Sequence, residues 1–357
     1  MSRRASRRFC LAFGAALLLA AGAAALLVAP AAEACGGMFM KRAWSDERRP
    51  SLAYEQTLIV HDADKGREHF VREVVFRASR ETFGFIVPTP SRPEVARVKK
   101  SPFERLRTFY PFHENRIPAG LGQLGGGSGS GAGGGRPRGV QVLEVTKVGS
   151  FTAFVLAATD EGALSSWLKK QELVSGPATD AWLRHYVKLG FYFVAMRYDP
   201  PGDGAELEAG KTKAETLRFS FDSALPYYPY QEPDPAKPGG GTEPRLLEVW
   251  LVSQKAGVPV ARLEREGRAQ WVRPMAEGYR YQQPSRSDLE EALGDDAKLL
   301  PRGDAIVQRF MDQKVSRTGF GDVVWAPAEP RPLDPAQQKR LTPLLAVLDP
   351  SLAEGKP

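Results

Sequence analysis

The sequence predicts an α+β fold: mostly antiparallel β-sheets, two short central helices and a helical C-terminal extension. Three observations carry this. Runs rich in β-branched and aromatic residues recur on both sides of a Gly-rich stretch. Two central segments place apolar residues at helical spacing behind capping residues. Strand signals follow strand signals instead of alternating with helices, which argues against a parallel α/β sheet.

The chain opens with Arg3, Arg4, Arg7 and Arg8 before an uncharged Ala/Leu-rich run that closes on Ala32-Glu33-Ala34 and Cys35. A basic start, an apolar run and an Ala-x-Ala site make residues 1–34 a secretory signal peptide, cleaved between Ala34 and Cys35. The expected destination is the periplasm or the outside of the cell. An uncleaved anchor and lipidation of Cys35 are the alternatives, and the charged Glu33 fits a lipoprotein site badly.

Over 357 residues, 49 Lys and Arg against 42 Asp and Glu give a net charge of +7. Residues 1–34 hold four Arg and one Glu, so processing leaves +4. That excludes a nucleic-acid footprint but suits contact with anionic envelope polymers. Of two cysteines, Cys10 belongs to the signal, and the mature chain keeps Cys35 alone, with no intramolecular disulfide.

Residues 35–119 read as a β-rich part. Residues 58–60 and 70–76 flank the turn-rich Asp62-Ala63-Asp64-Lys65-Gly66, and residues 83–87 add a strand stopped by Pro88-Thr89-Pro90. These three form a hairpin or meander. Residues 120–139 are a Gly/Ser-rich flexible insertion. Residues 140–283 form an α+β part, beginning with a hairpin of 140–148 and 151–157 around Gly149-Ser150. Thr159 or Asp160 then caps a helix bearing Leu164, Trp167 and Leu168 on one face. A second helix starts at Thr179 or Asp180, turns Trp182, Leu183, Tyr186 and Val187 inward, and ends at Gly190. Strands follow at 191–198, 217–221 and 246–252. Residues 226–244, rich in Pro and Gly, read as a surface loop. Residues 284–357 read as a partly disordered helical extension, with helices at 288–293 and 304–311 and Asp304 as the cap of the latter.

No intact catalytic signature is present. A mature N-terminal Cys35 could act as a nucleophile with its own amine as base, although Gly36-Gly37 makes a loose start for it. His61 and His69 flank the turn beside Asp62 and Asp64, an arrangement that solvated turn residues explain better than a metal; His113 and His185 lack matched partners. The candidate binding surface is aromatic: Tyr110 and Phe112 in one Pro-containing run, and Tyr227, Tyr228 and Tyr230 in another.

Ala34-Cys35-Gly36-Gly37-Met38-Phe39 and the strand Phe83-Gly84-Phe85-Ile86-Val87-Pro88-Thr89-Pro90 resemble an exported bacterial family, domain of unknown function 2330. The likeness covers roughly residues 35–260. Met40 stands where that family often has a second Cys, so a dithiol role does not transfer, and the resemblance implies export and fold without an activity. The sequence therefore reads as an exported envelope protein with a non-enzymatic binding or structural role. Its partner classes are an envelope protein, a glycan or a membrane surface; no nucleic acid, cofactor or metal is expected. A hydrolase using Cys35, or a lipoprotein subunit tethered through Cys35, are the competing readings.

Overall fold

The computed structural model describes residues 38–40, 51–77, 82–111, 139–148, 151–173, 177–198, 211–213, 215–233, 245–328 and 344. The sequence-predicted hairpin is its backbone: β2 (Ser51–Asp62) and β3 (Arg67–Arg77) pair antiparallel around residues 63–66. Gly66 takes a left-handed φ of 59°, and the Asp62 carboxylate accepts from the backbone N–H groups of Asp64 and Lys65 at 3.1 Å. Asp62 and Gly66 together make the turn tight.

This hairpin sits inside an eight-stranded sheet ordered β15-β16-β12-β2-β3-β10-β5, with β9 (Lys211–Lys213) also paired to β3. Its other members are β5 (Glu94–Arg97), β10 (Leu217–Asp222), β12 (Leu246–Ser253), β15 (Ala276–Tyr281) and β16 (Ile306–Asp312). β2 and β12 run parallel. Both faces are covered, so alternate residues enter different cores. Leu58, Val60, Val71, Trp250 and Val252 face a small core under α1 (Phe103–Phe109) and α4 (Arg286–Leu293). Ile59, Phe70, Val249 and Leu251 face the large core.

The large core is completed by two further sheets. A five-stranded sheet is ordered β1-β4-β8-β7-β6, from β1 (Met38–Met40), β4 (Phe83–Thr89), β6 (Val140–Val148), β7 (Phe151–Ala158) and β8 (Tyr192–Tyr198). A four-stranded sheet is ordered β11-β17-β13-β14, from β11 (Tyr227–Tyr228), β13 (Gly257–Arg265), β14 (Arg268–Val272) and β17 (Val323–Pro327). The two central helices are α2 (Glu161–Lys170) and α3 (Pro177–Lys188). Asp160 caps α2 by accepting from Ala163 N–H at 2.8 Å, and Gly190 follows α3 with φ of 72°. Leu164, Leu168, Trp182, Leu183, Tyr186 and Val187 are buried as expected, while Trp167 is half-buried.

Three expectations fail. The strand at residues 83–89 does not extend the first hairpin, because β12 already flanks β2, and β9 and β10 flank β3; it pairs with β1 and β8 instead. The helical C-terminal extension is not shown: among the described residues, the expected helix at 288–293 forms as part of residues 286–293 and is followed by a short 3₁₀ helix, η1 (Gly294–Leu299), before the chain turns to strand. Residues 306–312 are a strand wedged between β15 and β12, and Asp304 caps no helix. Residues 226–233 are not a surface loop either, since Tyr227, Tyr228 and Tyr230 are among the most buried side chains of the molecule.

Candidate anion-binding cleft

The expected aromatic surface is interior. Each tyrosine of the second run donates its hydroxyl to a buried carboxylate: Tyr227 to Asp322 at 2.7 Å, Tyr228 to Glu55 at 2.9 Å and Tyr230 to Asp312 at 2.8 Å. Such bonds satisfy polar groups that would otherwise be costly to bury. Arg72 also binds Glu55 through two N–H groups, and Arg317 binds both Asp312 and Glu232, so these carboxylates are structural. Tyr110 packs edge-on to Tyr281 at 4.8 Å, and burial pushes its phenol up to about 12. Phe112, Ala32, Ala34, Cys35 and His113 lie outside the described residues.

The described histidines do not converge. Val60 lies opposite His69 and His61 opposite Glu68, which puts the two rings on opposite faces of the sheet. His61 Nε2 donates to the Ser223 carbonyl at 3.0 Å, and the Asp62 carboxylate is taken by Lys65 Nζ at 2.7 Å. His185 sits beside Tyr186 on α3, where burial and then Lys188 push its imidazole down.

The arrangement with chemistry to offer lies on the helix-covered face of the eight-stranded sheet. Among the described residues β5 is an edge strand paired to β10, and Val98 N–H extends that ladder to the Thr216 carbonyl at 3.0 Å. The chain then leaves the sheet through Lys99, Lys100 and Ser101 and enters α1. Burial of Phe103 and Leu106 against the small core turns Arg105 outward, and Arg105 Nη1 donates to the Glu291 carbonyl at 2.6 Å, tying α1 to α4. Opposite, η1 follows α4 through Gly294 and carries Asp295, Asp296 and Lys298.

Between these walls runs a cleft of about 730 Å³ floored by Arg218 of β10. Its lining holds six cations, Arg97, Lys99, Lys100, Arg105, Arg218 and Lys298, against two carboxylates, Asp295 and Asp296. The two carboxylates are held differently. Lys99 reaches Asp295 at 3.7 Å with both side chains about four-fifths exposed, a geometry worth little in water. Arg218 Nη1 contacts Asp296 more closely, yet burial still pushes that carboxyl up against the pull of Arg218 and Lys298. On the same face His69, whose Nδ1 meets Ser220 Oγ at 2.8 Å, is pushed down to about 4 by burial and then by Arg67, Arg218 and Lys65, against Asp62.

Sequence reasoning missed this site. Arg97, Lys99, Lys100 and Arg105 form a visible basic run, but Arg218 and Lys298 join it only through sheet order and the turn after α4. A solved structure aligning with this chain is the crystal structure of baculovirus P35, at 9% identity and a TM-score of 0.34 over 79% of this chain and 98% of that one; likeness at that level carries no argument. No curated protein matches. The family model for uncharacterized proteins conserved in bacteria, DUF2330, matches residues 29–236, which include five of the six cleft cations, and the chain belongs to that family.

Proposed function

We propose that this protein is exported to the bacterial envelope and there binds an anionic glycan or similar polymer, without catalysing a reaction. The observation that supports the reading is the cleft: six Lys and Arg side chains and two carboxylates line it, and among the described residues only Arg97 of the six is taken up by a carboxylate from outside the lining, Glu215. The volume is of the order of known ligand sites, roughly 300–1,000 Å³. Its lining has no aromatic side chain, so it offers no platform for stacking bases, and charge alone must recognise the ligand. Arg218, at 17% exposure, lies below the rim, where a bilayer plane would not reach it. A strand of repeated phosphate or carboxylate groups fits that shape better than a flat membrane surface.

Hydrogen exchange of the mature chain with polygalacturonate or inorganic polyphosphate tests the reading. Protection is expected in residues 97–105 and 292–298; protection confined elsewhere, or none, contradicts it. Protection by anionic phosphatidylglycerol vesicles but by neither polymer would support a membrane partner instead. Export rests on the signal-like residues 1–34. Intact mass spectrometry of the secreted or periplasmic fraction should find a chain beginning at Cys35, and an intact Met1 in the cytoplasm would overturn that part.

A further inference from the structure

The floor of the cleft is built differently from its rim. Arg218 sits in β10 opposite Val71 of β3 on one side and Ala96 of β5 on the other, so two neighbouring strands fix its backbone. Lys99 and Lys100 lie on the connection to α1 and are fully at the rim. A guanidinium presents several N–H groups in one plane, matched to the oxygens of a carboxylate or phosphate. At Arg218 this fork is partly engaged: Nη1 contacts Asp296, while the buried Nε has no hydrogen-bond partner. Asp296 is likewise poorly accommodated, because burial raises its carboxyl although Arg218 and Lys298 oppose the effect. The contact spans the cleft, joining η1 on one wall to β10 on the floor.

We infer that Arg218 is the anion anchor of the cleft and that Asp296 is its resident competitor, displaced when a ligand phosphate or carboxylate takes the guanidinium. This rests on the reading of the cleft as a polyanion site. A single carboxylate would gain little by exchanging places with another carboxylate. A polymer whose next charges reach Lys99, Lys100 and Arg105 gains those contacts as well, so the competitor selects for repeated anionic groups.

The test is the affinity of the folded mature chain for inorganic polyphosphate, with two neutralising variants compared. Asp296→Asn frees the fork and is expected to tighten binding about tenfold or more. Asp295→Asn removes the same charge from an exposed position and should tighten it only about twofold. Arg218→Lys keeps the charge but loses the fork, and should bind more weakly than wild type. In wild type, the Arg218 Nε–H resonance should shift on adding polyphosphate, which serves even where Asp296→Asn does not fold. Equal effects of the two neutralising variants, or an unmoved Nε–H resonance, overturn the anchor. If wild type binds, and Lys99→Glu/Lys100→Glu abolishes binding while Asp296→Asn matches Asp295→Asn, only the anchor fails. If no form binds polyphosphate, the cleft reading falls with it.

Discussion

Tyr227 joins two buried acids that face no cation among the described residues. Its backbone N–H donates to Glu68 at 2.7 Å and its hydroxyl to Asp322 at 2.7 Å, with Tyr186 also on Asp322 at 2.9 Å. Burial pushes the Asp322 carboxyl up from 3.8 to about 6, although Gln231 N–H and the two phenols hold it down. Glu68, with one oxygen lacking any partner, is raised well above the carboxylate range by burial. The folded state therefore takes a proton at Asp322 before the unfolded chain does. Its contribution is complete below pH 3.8 and is lost as pH rises through about 6, a loss of about 3 kcal/mol. His69 acts in the opposite sense, since its folded form refuses a proton that the unfolded chain accepts near 6.5, so stability falls there as pH falls toward 4. Denaturant melts of wild type and Asp322→Asn across pH 4 to 8 separate the two. The wild-type advantage should shrink as pH rises, and a flat difference would contradict it. None of this was legible in sequence: Tyr227, Tyr228 and Tyr230 read as a Pro-flanked surface run, and only the folded positions of Asp322 before β17, Glu55 in β2 and Asp312 in β16 show that each faces a carboxylate.

At the scale of elements, local signals succeeded and long-range ones did not. The β2–β3 turn, the β6–β7 pairing, the Asp160 cap and the Gly190 stop all depend on residues within one or two turns of chain. Replacing Asp160 by Ala leaves the Ala163 N–H without its acceptor, and should cost about 1 kcal/mol, read as a lower denaturation midpoint at unchanged slope. An unchanged midpoint would mean α2 is held by its buried Leu164 and Leu168 alone. β16 reads as a helix in the sequence because it is covered on both faces. Val307 enters the small core and Phe310 the large one, so the two-residue alternation of a half-buried strand is replaced by apolar spacing that mimics a helix. β4 was placed in the wrong sheet for a different reason: its pairing with β8 spans the Gly-rich stretch, and nothing in residues 83–89 states which distant strand will flank them. The cleft shows the same division, with its β5–α1 rim readable as a basic run and its floor visible only after folding.

At the scale of the molecule, net charge understates the electrostatics. A net charge of +7 spread over 357 residues is mild, but six cations line one cleft that holds two carboxylates. Glu55, Glu232 and Asp312 are buried against Arg72, Arg245 and Arg317, so those pairs cancel internally and the field at the cleft is set by its own lining. The most direct test is equilibrium binding of polygalacturonate and inorganic polyphosphate at low and physiological salt, comparing wild type with Lys99→Glu/Lys100→Glu/Arg105→Glu. All three residues are exposed and of them only Arg105 makes a hydrogen bond between elements, to the Glu291 carbonyl, so a thermal melt of the variant accompanies the measurement. Binding by wild type that weakens with salt and drops at least tenfold in the triple variant is the predicted result; equal affinity of the two proteins, or no binding by either, would contradict it.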